Sequence, residues 1–195
     1  MQFLEYQIIL GVISTVIGLA GYVPYFNDIL KRRIKPHAFS WLIWGLLQLI
    51  VFFLSTSKGG GAGEWVIGAQ ATLNLVIFAI SMRRGDVKIT LIDKASLSLA
   101  LLGIVLWMAT TNPLWGVVIA SVVDVIAIVP TIRKAYAKPY EDSMSIFVLG
   151  AVAFAISIFA LSSISLVTVL YPTVLICANA VLIAVMLKRR SEVKR

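Results

Sequence analysis

Residues 72–76 read Thr-Leu-Asn-Leu-Val, and residues 177–181 read Cys-Ala-Asn-Ala-Val, so one asparagine recurs inside an apolar segment after 105 positions, as Asn74 and Asn179. A repeat at a fixed spacing indicates a duplicated structural unit. The sequence therefore predicts two copies of one unit, with Asn74 and Asn179 at equivalent places where the two halves meet.

Two further landmarks support the duplication. Tyr-Val-Pro-Tyr at 22–25 is followed by Ile-Val-Pro-Thr at 128–131, a shift of 106 that pairs Pro24 with Pro130. Phe-Ser with a later glycine at 39–45 is followed by Met-Ser with a later glycine at 144–150, a shift of 105. The change of one residue falls in a polar loop, where a deletion is most easily tolerated.

The composition is that of a membrane protein. Apolar residues make up 60% of the chain and charged residues 13%, whereas soluble domains average roughly 45–50% and about 25%. The apolar residues form long runs that a soluble core of this size could not bury. We therefore predict an integral membrane protein, in which the single Cys177 excludes an intrachain disulfide.

The net charge of +8 comes from basic residues that are clustered along the chain. Sixteen of the seventeen lie in four clusters: Lys31-Arg32-Arg33 with Lys35, Arg83-Arg84 with Lys88 and Lys94, Arg133-Lys134 with Lys138, and Lys188-Arg189-Arg190 with Lys194 and Arg195. Basic side chains next to membrane segments stay in the cytoplasm. This pattern indicates membrane topology and contact with anionic lipid, and it argues against a nucleic-acid partner.

Seven apolar segments lie between these clusters and the weakly charged turns: Tyr6–Tyr25, Phe39–Leu54, Trp65–Met82, Ala95–Ala109, Leu114–Ile132, Ile146–Leu161 and Leu166–Leu187. A full crossing takes about 20 residues, so the second, fourth and sixth are short. Seven crossings put every basic cluster on one side. We therefore predict a multi-pass protein of the cell membrane with its N-terminus outside and its C-terminus in the cytoplasm.

The seven segments and the repeat together predict the architecture. Two copies in the same orientation, each with three helices, need one additional crossing between them, and the fourth segment supplies it. We predict an all-α fold of three-plus-one-plus-three helices: a first bundle at 1–90, a linker helix at 91–111 and a second bundle at 112–195. Parallel repeats of this kind occur among secondary transporters.

This arrangement resembles the PQ-loop and SWEET-like superfamily of small-solute transporters. The resemblance covers nearly the whole chain and is carried by Pro24, Pro130, the basic loops after them, and the Asn74 and Asn179 pair. It implies that these asparagines, one from each third helix, contact the solute. Tyr25 and Thr131 stand where the superfamily has the glutamine of its motif, and the prolines that sugar-transporting relatives carry in their second and sixth helices are absent.

Amide and aromatic side chains are the candidate solute ligands. A buried amide needs a partner, which for Asn74 and Asn179 is either a neighbouring helix, in an assembly role, or a hydroxyl-rich or zwitterionic solute. Trp44 and Gln48 lie one turn apart on one face of the second segment. Trp44 is placed to stack on a ring, whereas Trp41 is predicted to be an anchor at the membrane boundary.

Asp124 is the acid in the middle of a predicted crossing, on a face with Ala120, Ala127 and Thr131 that we expect to line a cavity. Intramembrane acids are costly and usually functional. Three roles remain open for it: proton coupling, pairing with a cationic solute, or a structural hydrogen bond in the protonated form. Pro24 and Pro130 are either gating hinges or tolerated kinks.

Transport of a small polar solute, sugar or amino-acid-like, is the leading functional hypothesis. The alternative is a receptor or assembly factor on the same fold. An enzyme is not expected, because the sequence offers neither a metal-ligand cluster nor a nucleophile–base pair. We expect no cofactor and no metal. The expected partners are a small molecule and the lipid bilayer, and a homo-oligomer is left open.

Overall fold

The computed structural model describes residues 2–34, 36, 38–84, 89, 91–110, 112–140 and 143–193. All regular secondary structure in these ranges is helical: α1 (Gln2–Ala20), α2 (Tyr22–Leu30), α3 (Ala38–Ser57), a 3₁₀ helix (Gly61–Glu64), α4 (Trp65–Arg84), α5 (Leu91–Thr110), α6 (Pro113–Ala127), α7 (Val129–Ala137), α8 (Met144–Phe159) and α9 (Leu166–Glu192). The prediction of an all-helical fold is confirmed.

Five helical stretches are long and apolar enough to cross a membrane: Glu5–Leu30, Ala38–Ser57, Gly61–Arg83, Pro113–Ala137 and Leu166–Glu192. The helix α8 is apolar but has only 16 residues, and α5 is not among the five. Large apolar side chains such as Val16, Phe53 and Val105 are exposed on the outside of the bundle. Such a surface is stable in lipid rather than in water, and the chain is a multi-pass membrane protein.

Two of the helical stretches are interrupted shortly before a proline. The break at Gly21 separates α1 from α2, which contains Pro24, and the break at Ile128 separates α6 from α7, which contains Pro130. Proline has no N–H to donate, and its ring collides with the carbonyl one turn earlier. Both prolines therefore bend their stretch at corresponding places. The side chain of Pro130 lies outside the described part of the chain.

The second and fourth segments are longer than the sequence predicted. Both α3 and α5 have 20 residues, because polar residues that were assigned to the flanking loops continue the helix. At the end of α3, for example, the hydroxyl of Ser57 donates to the carbonyl of Leu54 at 2.6 Å. A serine hydroxyl that donates to a backbone carbonyl in the last turn of its own helix needs no hydrogen bond to solvent, so the helix can continue to that residue. Only the sixth segment, now α8, remains short.

Each long helix packs against a small set of neighbours. The helix α4 lies against α3 and α1, and α9 lies against α8 and α6. Between these groups, α1 packs along α8 and α3 packs along α6, while α5 lies mainly on α6. The two sides of the molecule thus meet along two long helix–helix contacts, and the buried core runs between them.

The two ends of the bundle differ. One end, here called the glycine end, contains residues 58–64 and 160–165; the other, the basic end, contains residues 31–34, 83–84, 133–138 and 188–190. At the glycine end, Gln7 Nε2 donates to the carbonyl of Leu161 at 2.9 Å, and the Ser162 N–H donates to the carbonyl of Gly60 at 3.3 Å. These bonds tie the first part of the chain to the second. Of the predicted basic clusters, Lys35, Lys88, Lys194 and Arg195 lie outside the described residues.

Candidate functional site

A cavity of about 80 Å³ lies in the centre of the bundle, between the two long contacts. Its walls come from both halves of the chain: Tyr22, Trp41, Trp44, Gln48, Gln70, Asn74, Asp124, Ile128, Ile146, Phe147, Gly150, Phe154, Leu175, Ala178 and Asn179. The structure therefore brings together all five side chains that the sequence suggested as solute or proton ligands. Their roles in binding remain predictions.

Three side chains of the first half form a hydrogen-bonded relay along one wall. The Tyr22 hydroxyl donates to Asn74 Oδ1 at 2.8 Å, and Asn74 Nδ2 donates to Gln48 Oε1 at 2.8 Å. All three are buried. The break at Gly21 restarts the helix at Tyr22 and so places this tyrosine opposite α4. Within the relay, Asn74 already uses its carbonyl and one N–H on the protein.

Asn179 has a different environment, although it is the repeat mate of Asn74. It is partly exposed, and within the described residues it makes no hydrogen bond. At the repeat spacing, Ile128 takes the place of Tyr22 and Ala153 takes the place of Gln48, so the second half has no relay. The expected symmetric pair is therefore unequal: Asn74 is held by the protein, and Asn179 has its donors and acceptors available.

Gln70 is a wall residue that the sequence reasoning missed. Its Nε2 atom is buried without a hydrogen-bond partner among the described residues. A glycine makes room for it, because a Cβ on Gly18 would lie 2.8 Å from that nitrogen. A buried unpaired donor costs about 1–3 kcal/mol, so an acceptor on a ligand would be favoured here. The available signal was its position one turn before Asn74, on the same face of α4.

Asp124 lies in the cavity wall and is buried. The Tyr171 hydroxyl donates to Asp124 Oδ1 at 3.4 Å, a long bond that leaves the other carboxyl oxygen available. No lysine, arginine or histidine is among the described cavity-lining residues. Of the face predicted to line the cavity, only Asp124 reaches it; Ala120 and Ala127 are buried against neighbouring helices.

An aromatic group closes one side of the cavity. Trp41 stacks edge-on against Trp44 with ring centroids 5.3 Å apart and lies 4.9 Å from Tyr25. The prediction that Trp41 is a membrane-boundary anchor is wrong, because its side chain is only 8% exposed. It faces inward because Tyr22 and Tyr25 of the restarted helix α2 pack over it. Trp65 and Trp115, in contrast, are exposed.

Of the three relay residues, Tyr22 is the one whose substitution we expect to change the stability most clearly. Replacing it by phenylalanine keeps the ring but leaves Asn74 Oδ1 without its donor. We expect Tyr22→Phe to lower the free energy of unfolding by about 1–3 kcal/mol, the cost of a buried unpaired acceptor. Denaturant titration of the purified protein measures this change. Tyr6→Phe is the matched control, since Tyr6 is exposed, and an equal loss in both variants would contradict the relay.

A second buried acid lies away from the cavity, at the glycine end. Glu64 is 0% exposed, and both of its carboxyl oxygens lack a hydrogen-bond partner among the described residues. In the sequence it directly precedes the third predicted segment, which begins at Trp65. Within the described ranges, no group of three or more His, Cys, Asp or Glu residues is placed to hold a metal ion.

Comparison of the chain with protein-family models, with curated proteins and with solved structures gives no match.

Proposed function

We propose that this protein is a membrane transporter of a small polar solute that works by alternating access between two three-helix halves. The observation that carries the proposal is the central cavity, whose walls combine unused polar groups of Gln70, Asp124 and Asn179. Buried polar groups without partners are costly unless a ligand or water uses them. A largely apolar chamber with a few unpaired polar groups, between two packed halves, suits the binding of a small polar solute.

The three-plus-one-plus-three repeat is part of this proposal and is supported by the pattern of helix contacts. In the first half, α4 packs on α3 and on α1; in the second, α9 packs on α8 and on α6. Each half's first helix also packs on the other half's second helix, as α1 does on α8 and α6 does on α3. This pattern is what an approximate two-fold axis along the membrane normal produces, with α5 as the linker.

The same geometry supports a mechanism. The glycine end is closed by the bonds from Gln7 to Leu161 and from Ser162 to Gly60. The cavity of about 80 Å³ is small beside the roughly 300–1,000 Å³ of typical ligand pockets. Binding of a solute therefore needs the cavity to widen. We propose that the halves separate at one end at a time, with the breaks before Pro24 and Pro130 as the hinges.

The wall chemistry points to the solute class. The amides of Gln70 and Asn179 offer donors and an acceptor, which suits hydroxyl or zwitterionic groups. Trp44 and the neighbouring aromatic rings offer flat apolar surface to a ring or aliphatic body. A sugar or an amino-acid-like solute satisfies both features. The resemblance to PQ-loop and SWEET-like proteins favours the same class.

The proposal is tested by binding followed by exchange. Sugars, amino acids and vitamins are screened for their effect on the unfolding temperature of the purified protein, and the best stabiliser is then used in counterflow with proteoliposomes. A transporter exchanges labelled for unlabelled solute across the membrane. Binding without exchange would contradict transport and would favour a receptor or assembly factor.

Orientation is a separate prediction. We expect the basic end to be cytoplasmic and the N-terminus external, because basic residues flanking membrane segments remain inside. In a Cys177→Ala parent, single cysteines are introduced and treated with a membrane-impermeant thiol reagent on intact cells. Cysteines at Lys58 and Ser163 should react, and those at Arg33, Arg84, Lys134 and Arg190 should not. Reaction of the cysteine at position 134 would show that the linker helix does not cross the membrane, and it would contradict the parallel repeat.

A further inference from the structure

The second buried acid, Glu64, is enclosed by the contact that closes the glycine end. It is the last residue of the 3₁₀ helix Gly61–Glu64, which packs against α1, α3, α4 and α8. A Cβ on Gly60 would lie 2.6 Å from Glu64 Oε1, and a Cβ on Gly63 would lie 2.6 Å from the carbonyl oxygen of Ser157. The glycines thus let the backbone cover the carboxyl group and let the first half approach the second.

The hydroxyl nearest to Glu64 already donates its proton to another group. That hydroxyl belongs to Ser55 and lies at a geometry that falls short of a hydrogen bond. The Ser55 hydroxyl already donates its one proton to the carbonyl of Val167, at 3.0 Å. A carboxylate can only accept hydrogen bonds, whereas a carboxylic acid has one O–H to donate. While the bond to Val167 is kept, Ser55 can only accept from Glu64, which requires the protonated acid, and such a bond would link Glu64 through Ser55 to Val167 in the other half.

No described cation neutralises the carboxylate in place of a proton. On the packed elements, the charged side chains near this end are Glu5 in α1 and Lys58 after α3, and both are exposed to solvent. The basic residues of α4 lie at its opposite end, and α8 contains no charged residue. An ionised carboxylate buried without a partner is far more costly than a neutral acid. Opening of the glycine end would give the group water and remove that cost.

We propose that Glu64 is a proton-binding site that holds the glycine end closed: the protonated side chain stays buried beneath the contact between the halves, and loss of its proton to water accompanies opening of that end. Closing takes up one proton from the solvent and opening returns it. Acid therefore favours the closed glycine end and alkali favours the open one. The proposal rests on the proposed function in one respect, that the glycine end must open. Its test measures the conformation of that end and not solute uptake.

The reporter is a cysteine at position 157, in proteoliposomes of the full chain carrying Cys177→Ala. Ser157 is buried beside the 3₁₀ helix, and its hydroxyl bonds only its own helix, at the carbonyl of Phe154. The rate of reaction with an impermeant thiol reagent, added on the glycine-end side, is measured from pH 5 to pH 8. Each rate is divided by that of the exposed Ser163→Cys, which removes the ionisation of the thiol itself.

With Glu64 intact, we expect the normalised rate to rise with pH, by at most about tenfold per pH unit, the limit for one linked proton. With Glu64→Gln, which is neutral at every pH, the rate should stay low and flat. Asp28→Asn, which removes an acid at the basic end, should leave the rise unchanged. A cysteine at Ser81, another buried serine bonded within its own helix, should show no rise. A flat profile with Glu64 intact, or a rise that persists in Glu64→Gln, would overturn the proposal.

A second measurement does not depend on the folding of a Glu64 variant. In Asp124→Asn protein, the infrared carbonyl band of a protonated carboxylic acid should be present at pH 6, because Glu64 is then the remaining described acid that is buried. Absence of this band at pH 6 would overturn the proposal, even if Glu64→Gln fails to fold.

Discussion

Asn179→Ala is expected to lower solute uptake strongly while the protein still inserts and purifies as a single species. Asn179 is partly exposed beside the cavity and has no hydrogen bond to the described protein, so its loss removes a solute contact and little else. Leaving a polar group of the bound solute unpaired costs about 1–3 kcal/mol, or roughly 5- to 150-fold in affinity. Uptake of labelled solute at concentrations well below KM measures this loss.

Its repeat mate should behave differently. Asn74→Ala removes the acceptor for Tyr22 and the donor to Gln48, so we expect loss of uptake together with lower stability. Asn27→Ala, at an exposed position on α2, is the matched control and should retain both. Normal uptake by either cavity variant would show that the amides are not solute ligands. Misfolding of Asn179→Ala would instead favour a role in helix assembly.

Asp124→Asn is expected to lose accumulation driven by a pH gradient while it retains solute binding and counterflow exchange. The substitution keeps the shape and the ability to accept from Tyr171, but an amide cannot exchange a proton. With no basic side chain among the described residues of the cavity wall, a buried Asp124 has no protein cation to keep it charged, and we therefore expect it to exchange a proton in the proposed transport cycle.

The control for this experiment is Asp28→Asn, which removes an acid at the basic end that pairs with Arg33 at 3.5 Å. It should accumulate solute normally. Gradient-driven accumulation by Asp124→Asn at the unmodified rate would leave Asp124 as a structural hydrogen-bonding group. Loss of binding as well as accumulation would instead indicate that the carboxylate pairs with a cationic group on the solute.

Much of the cavity could be predicted because its residues can be recognised from the sequence close to each of them. Asn74 and Asn179 are marked by the repeat, Trp44 and Gln48 by their helical spacing, and Asp124 by its charge in an apolar segment. All five line the same cavity. The all-helical fold followed from apolar segments separated by polar turns, which is a property of each segment alone.

What the sequence did not predict depends on contacts between distant segments. Gln70 has the apolar Leu175 as its repeat mate, so no matching polar pair marks it in the sequence. Trp41 faces inward only because α2 restarts at the Gly21 break and packs on it. Glu64 follows a run of glycines that is typical of an exposed loop, and it is buried because the 3₁₀ helix that it ends packs against α1, α3, α4 and α8.

The polar groups of the two halves differ, and this decides whether one half alone could form the cavity as a dimer. A dimer made from two first halves would contain two Tyr22–Asn74–Gln48 relays and no Asp124, and a dimer of two second halves would contain two carboxylates and no relay. Neither self-pairing could rebuild the chamber. The covalent link through α5 therefore does more than keep the halves together. It ensures that each molecule contains one wall with the relay and one wall with Asp124.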